Sequence, residues 1–79
     1  MTDEEVLDGI RVVAREHLDH HGAVERSTPL VEALELDSIR MLTLVVEVEN
    51  HFEICLEEGD EEGIETVGDL VTLLQARLG

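Results

Sequence analysis

The stretch from Ser38 to Phe52, SIRMLTLVVEVENHF, decides the fold. At about 100° per residue, Met41, Leu44, Val45, Val48 and Phe52 gather on one face of a helix, while Ile39, Leu42 and Val46 spread round its flank. Only Arg40, Thr43, Glu47, Asn50 and His51 form a clearly polar sector. That apolar arc is wider than a two-layer packing needs. The helix is therefore either central to a bundle or keeps part of its surface for another molecule. It should begin at Asp37 or Ser38, where LELDSIRML (34–42) sets an acid beside a hydroxyl.

The flanking segments are helical too. Thr2 followed by Glu5 has the form of a capping box, with Asp3 and Glu4 where a helix start favours acids. Val6, Leu7, Ile10, Val13, Ala14 and Leu18 recur at helical spacing, which predicts a first helix from about Asp3 to His20, stopped by Gly22. Residues 22–36 lack sustained periodicity and carry Ser27, Thr28 and Pro29 as turn formers. Val24, Leu30, Leu34 and Leu36 can anchor this long loop, and one helical turn fits after Pro29. Beyond Phe52, Gly59 and Gly63 leave room for one short helix near Asp60 to Glu65, with Ile54, Leu56 and Ile64 inward. Thr66 and Asp69 then cap a last amphipathic helix bearing Val67, Leu70, Val71, Leu74 and Leu78. The expectation is an all-α fold, a small three- to four-helix bundle with its longest loop between the first two main helices, as a single domain over residues 1–79.

Composition agrees and limits function. A chain of 79 residues has a small core and little room for a deep pocket. Phe52 is the only aromatic residue and Pro29 the only proline, which favours helices over a sheet. Twenty acidic residues stand against five arginines and no lysine, a formal net charge of -15. Such a field repels phosphate backbones and anionic membranes and steers the domain toward basic protein surfaces, so neither nucleic acid nor membrane insertion is expected. Cys55 is alone, so no intrachain disulfide can form; with no export signal or long apolar run, a cytoplasmic location is expected.

Catalysis by this chain alone is not expected. His17, His20 and His21 lie at helical offsets, but no further ligand completes a metal set, and histidines also suit the negative end of a helix. Cys55 lacks an activating base nearby and reads as a small core or boundary residue. The acidic run from Glu57 to Glu62 lacks the spacing of a calcium loop and reads as a solvated face. Ser38 has no base at fixed local spacing; a triad with His51 or His17 would still lack an oxyanion hole and a cleft. A phosphate on its hydroxyl would meet free N–H groups and the positive end of a helix dipole, though Asp37 opposes it. Asp-Ser at a helix start is also an ordinary cap, and local geometry leaves the two readings open.

Read as one unit, residues 28–74 resemble the acyl carrier protein family, the phosphopantetheine-binding carriers of fatty acid, polyketide and related pathways. The resemblance rests on Asp37-Ser38-Ile39, on Glu49, Phe52 and Ile54 closing an aliphatic helix, and on Thr66-Val67-Gly68-Asp69-Leu70 opening the last one. It implies a non-catalytic carrier in which Ser38 takes a 4'-phosphopantetheine arm from coenzyme A and Asp37 helps a phosphopantetheinyl transferase engage. The arm would hold acyl or aminoacyl groups as thioesters. It also implies a partner-binding surface of Ile39, Arg40, Leu42, Val46, Glu47 and Glu49, met by a loading enzyme and by synthase or transferase partners, with the carrier a monomer. The alternative is an acidic helical interaction module of the same fold that never takes the arm. Glu35 stands where many relatives have glycine, Arg40 and Thr43 where acids are frequent, and Glu57 where proline is usual, which suggests partners unlike those of housekeeping fatty acid synthesis.

Overall fold

The computed structural model describes residues 1–57 and 59–78, and its regular structure is helical: α1 (Asp3–His17), α2 (Leu30–Ala33), α3 (Ser38–Phe52) and α4 (Val67–Leu78), with a 3-10 turn at Asp60–Gly63. α1 starts on the expected box. The Glu5 N–H donates to Thr2 Oγ1 at 3.2 Å, and the Thr2 N–H donates to Glu5 Oε1 at 2.9 Å, which holds the Glu5 carboxyl below its ordinary pKa. Val6, Leu7, Ile10, Val13 and Ala14 are buried along one stripe.

The helix ends sooner than its periodicity predicts, at His17 rather than His20. Asp19 adopts a left-handed φ of 53°, and the His20 N–H turns back to the Ala14 carbonyl at 3.0 Å. Leu18 stays buried without remaining in the helix. Gly22 is not the stop; it lies beside the His20 ring.

The loop that follows is fastened at both ends. Val24, Leu30 and Leu34 are buried, each side chain contributing roughly 1.5–3 kcal/mol of hydrophobic stabilisation. The backbone adds an isolated antiparallel bridge between Pro29 and Thr66, with the Leu30 N–H on the Glu65 carbonyl at 3.0 Å and the Val67 N–H on the Thr28 carbonyl at 2.9 Å. Gly68 closes this seam, its N–H reaching the Arg26 carbonyl at 2.8 Å. A Cβ there would stand 3.0 Å from that oxygen. The turn after Pro29 forms as α2, with proline as the residue preceding the helix.

α3 spans the expected residues and buries Leu44, Val48 and Phe52, with Met41 and Val45 half-buried. Phe52 packs on α1 at Gly9, where any Cβ would collide with the ring. After α3 the expected short helix is realised as the tighter 3-10 turn, ending at Gly63 rather than Glu65. α4 opens with the Thr66/Asp69 pair: the Asp69 N–H donates to Thr66 Oγ1 at 3.2 Å, and Asp69 Oδ2 accepts from the Glu65 and Thr66 N–H groups at 3.0 and 3.1 Å. Those backbone donors hold the Asp69 carboxyl below its ordinary range. Val67, Leu70, Val71 and Leu74 are buried and Leu78 half-buried, so α1, α3, α4 and the loop anchors share one core. Glu58, within the expected solvated acidic run, and the terminal Gly79 lie outside the described residues.

Candidate functional site

Ser38 is exposed at the first position of α3. The cap is Asp37: its Oδ1 accepts the Arg40 N–H at 2.8 Å, while the Ser38 hydroxyl makes no hydrogen bond among the described residues. The capping role thus falls to Asp37 and not to Ser38. One residue serves the helix; the other stays free at its positive end, where a phosphate is favoured.

From Ser38 a groove of about 420 Å³ runs along Met41, Leu42 and Val45 to Leu56, with Glu49, Glu57 and Glu61 also lining it. Glu49 is turned onto its far wall, Oε2 accepting the Leu56 N–H at 2.8 Å. The residues round the groove are also tied to α4: Arg77 donates to Asp60 Oδ2 at 2.7 Å and stands 3.8 Å from Glu57. Asp60 is held below the ordinary aspartate range by the Glu57 N–H first and the Arg77 guanidinium second. Sequence periodicity marked Met41 and Val45 as core and missed their part in this groove. Leu56 reads from sequence only as pointing inward, and Glu57 and Glu61 only as part of a solvated run, because they reach the groove through the turn after α3.

The residues expected to meet partners differ in exposure. Ile39, Leu42 and Val46 are 77, 63 and 42 % exposed, an apolar strip beside Ser38. Glu47 pairs with His17 Nε2 at 2.8 Å, and the Thr43 hydroxyl donates to the Ile39 carbonyl at 3.0 Å. Arg40 departs from the reading of an outward polar residue. Its Nε and Nη2 donate to the Leu34 carbonyl at 3.1 and 2.9 Å, and Nη2 donates to the Leu18 carbonyl at 2.7 Å.

The other candidates are not brought together. His17 faces Glu47, His21 faces Asp19 at 3.0 Å, and His20 Nε2 is buried with no partner among the described residues. His51 lies edge-on to Phe52 with ring centroids 4.9 Å apart, at the other end of α3 from Ser38. Cys55 is an exposed free thiol, not a core residue. Among the described residues no helix is long and apolar enough to cross a membrane.

At the capped start of α3, an exposed serine whose hydroxyl makes no hydrogen bond among the described residues opens onto a groove of aliphatic side chains edged by glutamates. The family model described as phosphopantetheine attachment site matches residues 8–74. The chain is 36 % identical to an acyl carrier protein of Phenylobacterium zucineum over 95 % of this chain and 96 % of that one. It is 30 % identical to an acyl carrier protein of Thermotoga maritima over 96 % and 95 %. A meromycolate extension acyl carrier protein of Mycobacterium leprae is 29 % identical over 95 % of this chain and 66 % of its own length. The chain belongs to the acyl carrier protein family. It is a non-catalytic carrier with covalently attached 4'-phosphopantetheine, served by phosphopantetheinyl transferases and synthase enzymes in general. The residues fit that group: an exposed hydroxyl for a phosphate ester, the positive end of α3 behind it, and a groove of Met41, Leu42, Val45 and Leu56 edged by glutamates leading away.

Proposed function

We propose that Ser38 is the attachment residue and that the chain presents acyl or aminoacyl groups to the enzymes of a specialised biosynthetic pathway. The observation that carries this is the division of labour at the α3 start, where Asp37 caps the helix and the Ser38 hydroxyl is left unengaged. In the transfer, the Ser38 oxygen bonds to the phosphorus bearing the pantetheine chain, its proton passes to the transferase, and the nucleotide bisphosphate of coenzyme A leaves. The bound group supplies a terminal thiol that holds the cargo as a thioester. Asp37 helps the transferase engage. Ile39, Leu42 and Val46 offer the apolar contact, while Glu47 and Glu49 lend negative charge that favours basic partner rims and raises the encounter rate.

One shared core supports a single carrier domain over residues 1–79, working as a monomer. An exposed free thiol at Cys55 supports a reducing, cytoplasmic setting. The test is to incubate the protein with coenzyme A and a broad-specificity phosphopantetheinyl transferase and weigh it intact. The native chain should gain one arm and Ser38→Ala none. An arm retained on Ser38→Ala refutes the assignment.

A further inference from the structure

We propose that Arg40 is the positioning residue of the attachment site, holding the first turn of α3 in the form the transferase accepts. This rests on Ser38 being the attachment residue. The Arg40 guanidinium makes three hydrogen bonds to two carbonyls, those of Leu18 and Leu34. Leu18 is the cap at the end of α1, and Leu34 is the cap at the end of α2. Both carbonyls belong to helix ends, where no intrahelical N–H remains to pair with them. A permanent cation there also meets the negative end of the α1 dipole.

The backbone of the same residue is held separately. Its N–H donates to Asp37 Oδ1 at 2.8 Å. Residue 40 therefore clasps Asp37 through its main chain, and the ends of α1 and α2 through its side chain, with Ser38 between Asp37 and the clasp. The charge that reads from sequence as a message to partners is spent inside the molecule. Replacement by lysine keeps the charge but loses the planar fork that addresses two carbonyls at once.

A residue that only stabilises the fold would alter the amount of folded protein and leave recognition unchanged. A residue that positions Ser38 alters how well the folded protein is recognised. The discriminating measurement is arm transfer from coenzyme A by a broad-specificity transferase, followed by intact mass, at a temperature where circular dichroism shows each variant folded. Arg40→Met should raise KM for the carrier by about tenfold, a loss of about 1.4 kcal/mol in recognition by the transferase, with kcat little changed. Arg40→Lys should fall between Met and the native residue. Val71→Ala, a truncation in the α4 core, lowers stability without touching the α3 start and should leave KM as it is.

An unchanged KM in Arg40→Met overturns the proposal, as does an equal rise in Val71→Ala. If Arg40→Met is too unstable to assay, Arg40→Lys decides, and a native KM there overturns it. An arm found on Ser38→Ala removes the attachment assignment and this proposal with it. Transfer confined to Ser38 but indifferent to residue 40 removes this proposal alone.

Discussion

Glu35, the residue after the Leu34 cap of α2, and Glu53, the cap of α3, hold left-handed backbone conformations, with φ of 51° and 55°. In both places the turn returns the next N–H to the helix: Leu36 to the Val31 carbonyl at 3.0 Å and Ile54 to the Glu49 carbonyl at 3.1 Å. A residue with a Cβ is strained there by roughly 1–2 kcal/mol. Glycine would lose more conformational freedom on folding, by roughly 0.5–1 kcal/mol, so relief of strain wins. Glu35→Gly and Glu53→Gly should each stabilise the protein by about 0.5–1 kcal/mol, read as a rise in urea midpoint at constant slope. An unchanged or lower midpoint would mean that the turns are not strained. The glycine that the family resemblance leads one to expect at position 35 thus has a physical rationale in this backbone. Sequence reading found the position without the cause, since nothing local distinguishes Glu35 from any exposed glutamate.

Element starts were legible because they are written in local chemistry: Thr2 with Glu5, Asp37 before α3, and Thr66 with Asp69 all cap as their types predict. Ends were not. α1 stops through the left-handed Asp19 while a more permissive glycine waits at Gly22, a choice made by the buried Leu18 and by Arg40 reaching its carbonyl from α3. The exposed serine at the α3 start was legible from its neighbours, whereas Arg40 was misplaced because its acceptors lie 6 and 22 residues away. The α4 start also predicts a pH response. The folded Asp69 carboxyl sits below its ordinary pKa because backbone N–H groups of Glu65 and Thr66 bond its ionised form. Its contribution is fully present above the unfolded value of about 3.9 and is lost as pH falls through the lower folded value. Acid titration followed by circular dichroism should show Asp69→Ala less stable than the native chain at neutral pH, with the gap closing below about pH 4. A gap that persists into strong acid would assign the loss to something other than the ionised cap.

At the scale of the whole molecule, the net charge of -15 outweighs the few cations available to answer it. Arg11, Arg26 and Arg77 are paired with carboxylates on or near the surface, contacts worth little individually. Self-repulsion should therefore dominate, and salt should help the fold. Raising ionic strength from 0.01 to 1 M shortens the screening length from about 30 to 3 Å, so the melting temperature should climb with added sodium chloride. A falling melting temperature would show that the ion pairs matter more than the repulsion. The same chain has no tryptophan or tyrosine, and its one thiol, Cys55, is exposed just beyond the far end of α3 from Ser38. A helix of that length separates its ends by roughly 22 Å. Before the arm is added, a fluorophore on Cys55 is thus the single emitter against a dark background, one helix length from the serine, placed to report by energy transfer as a dye-bearing cargo swings between groove and partner.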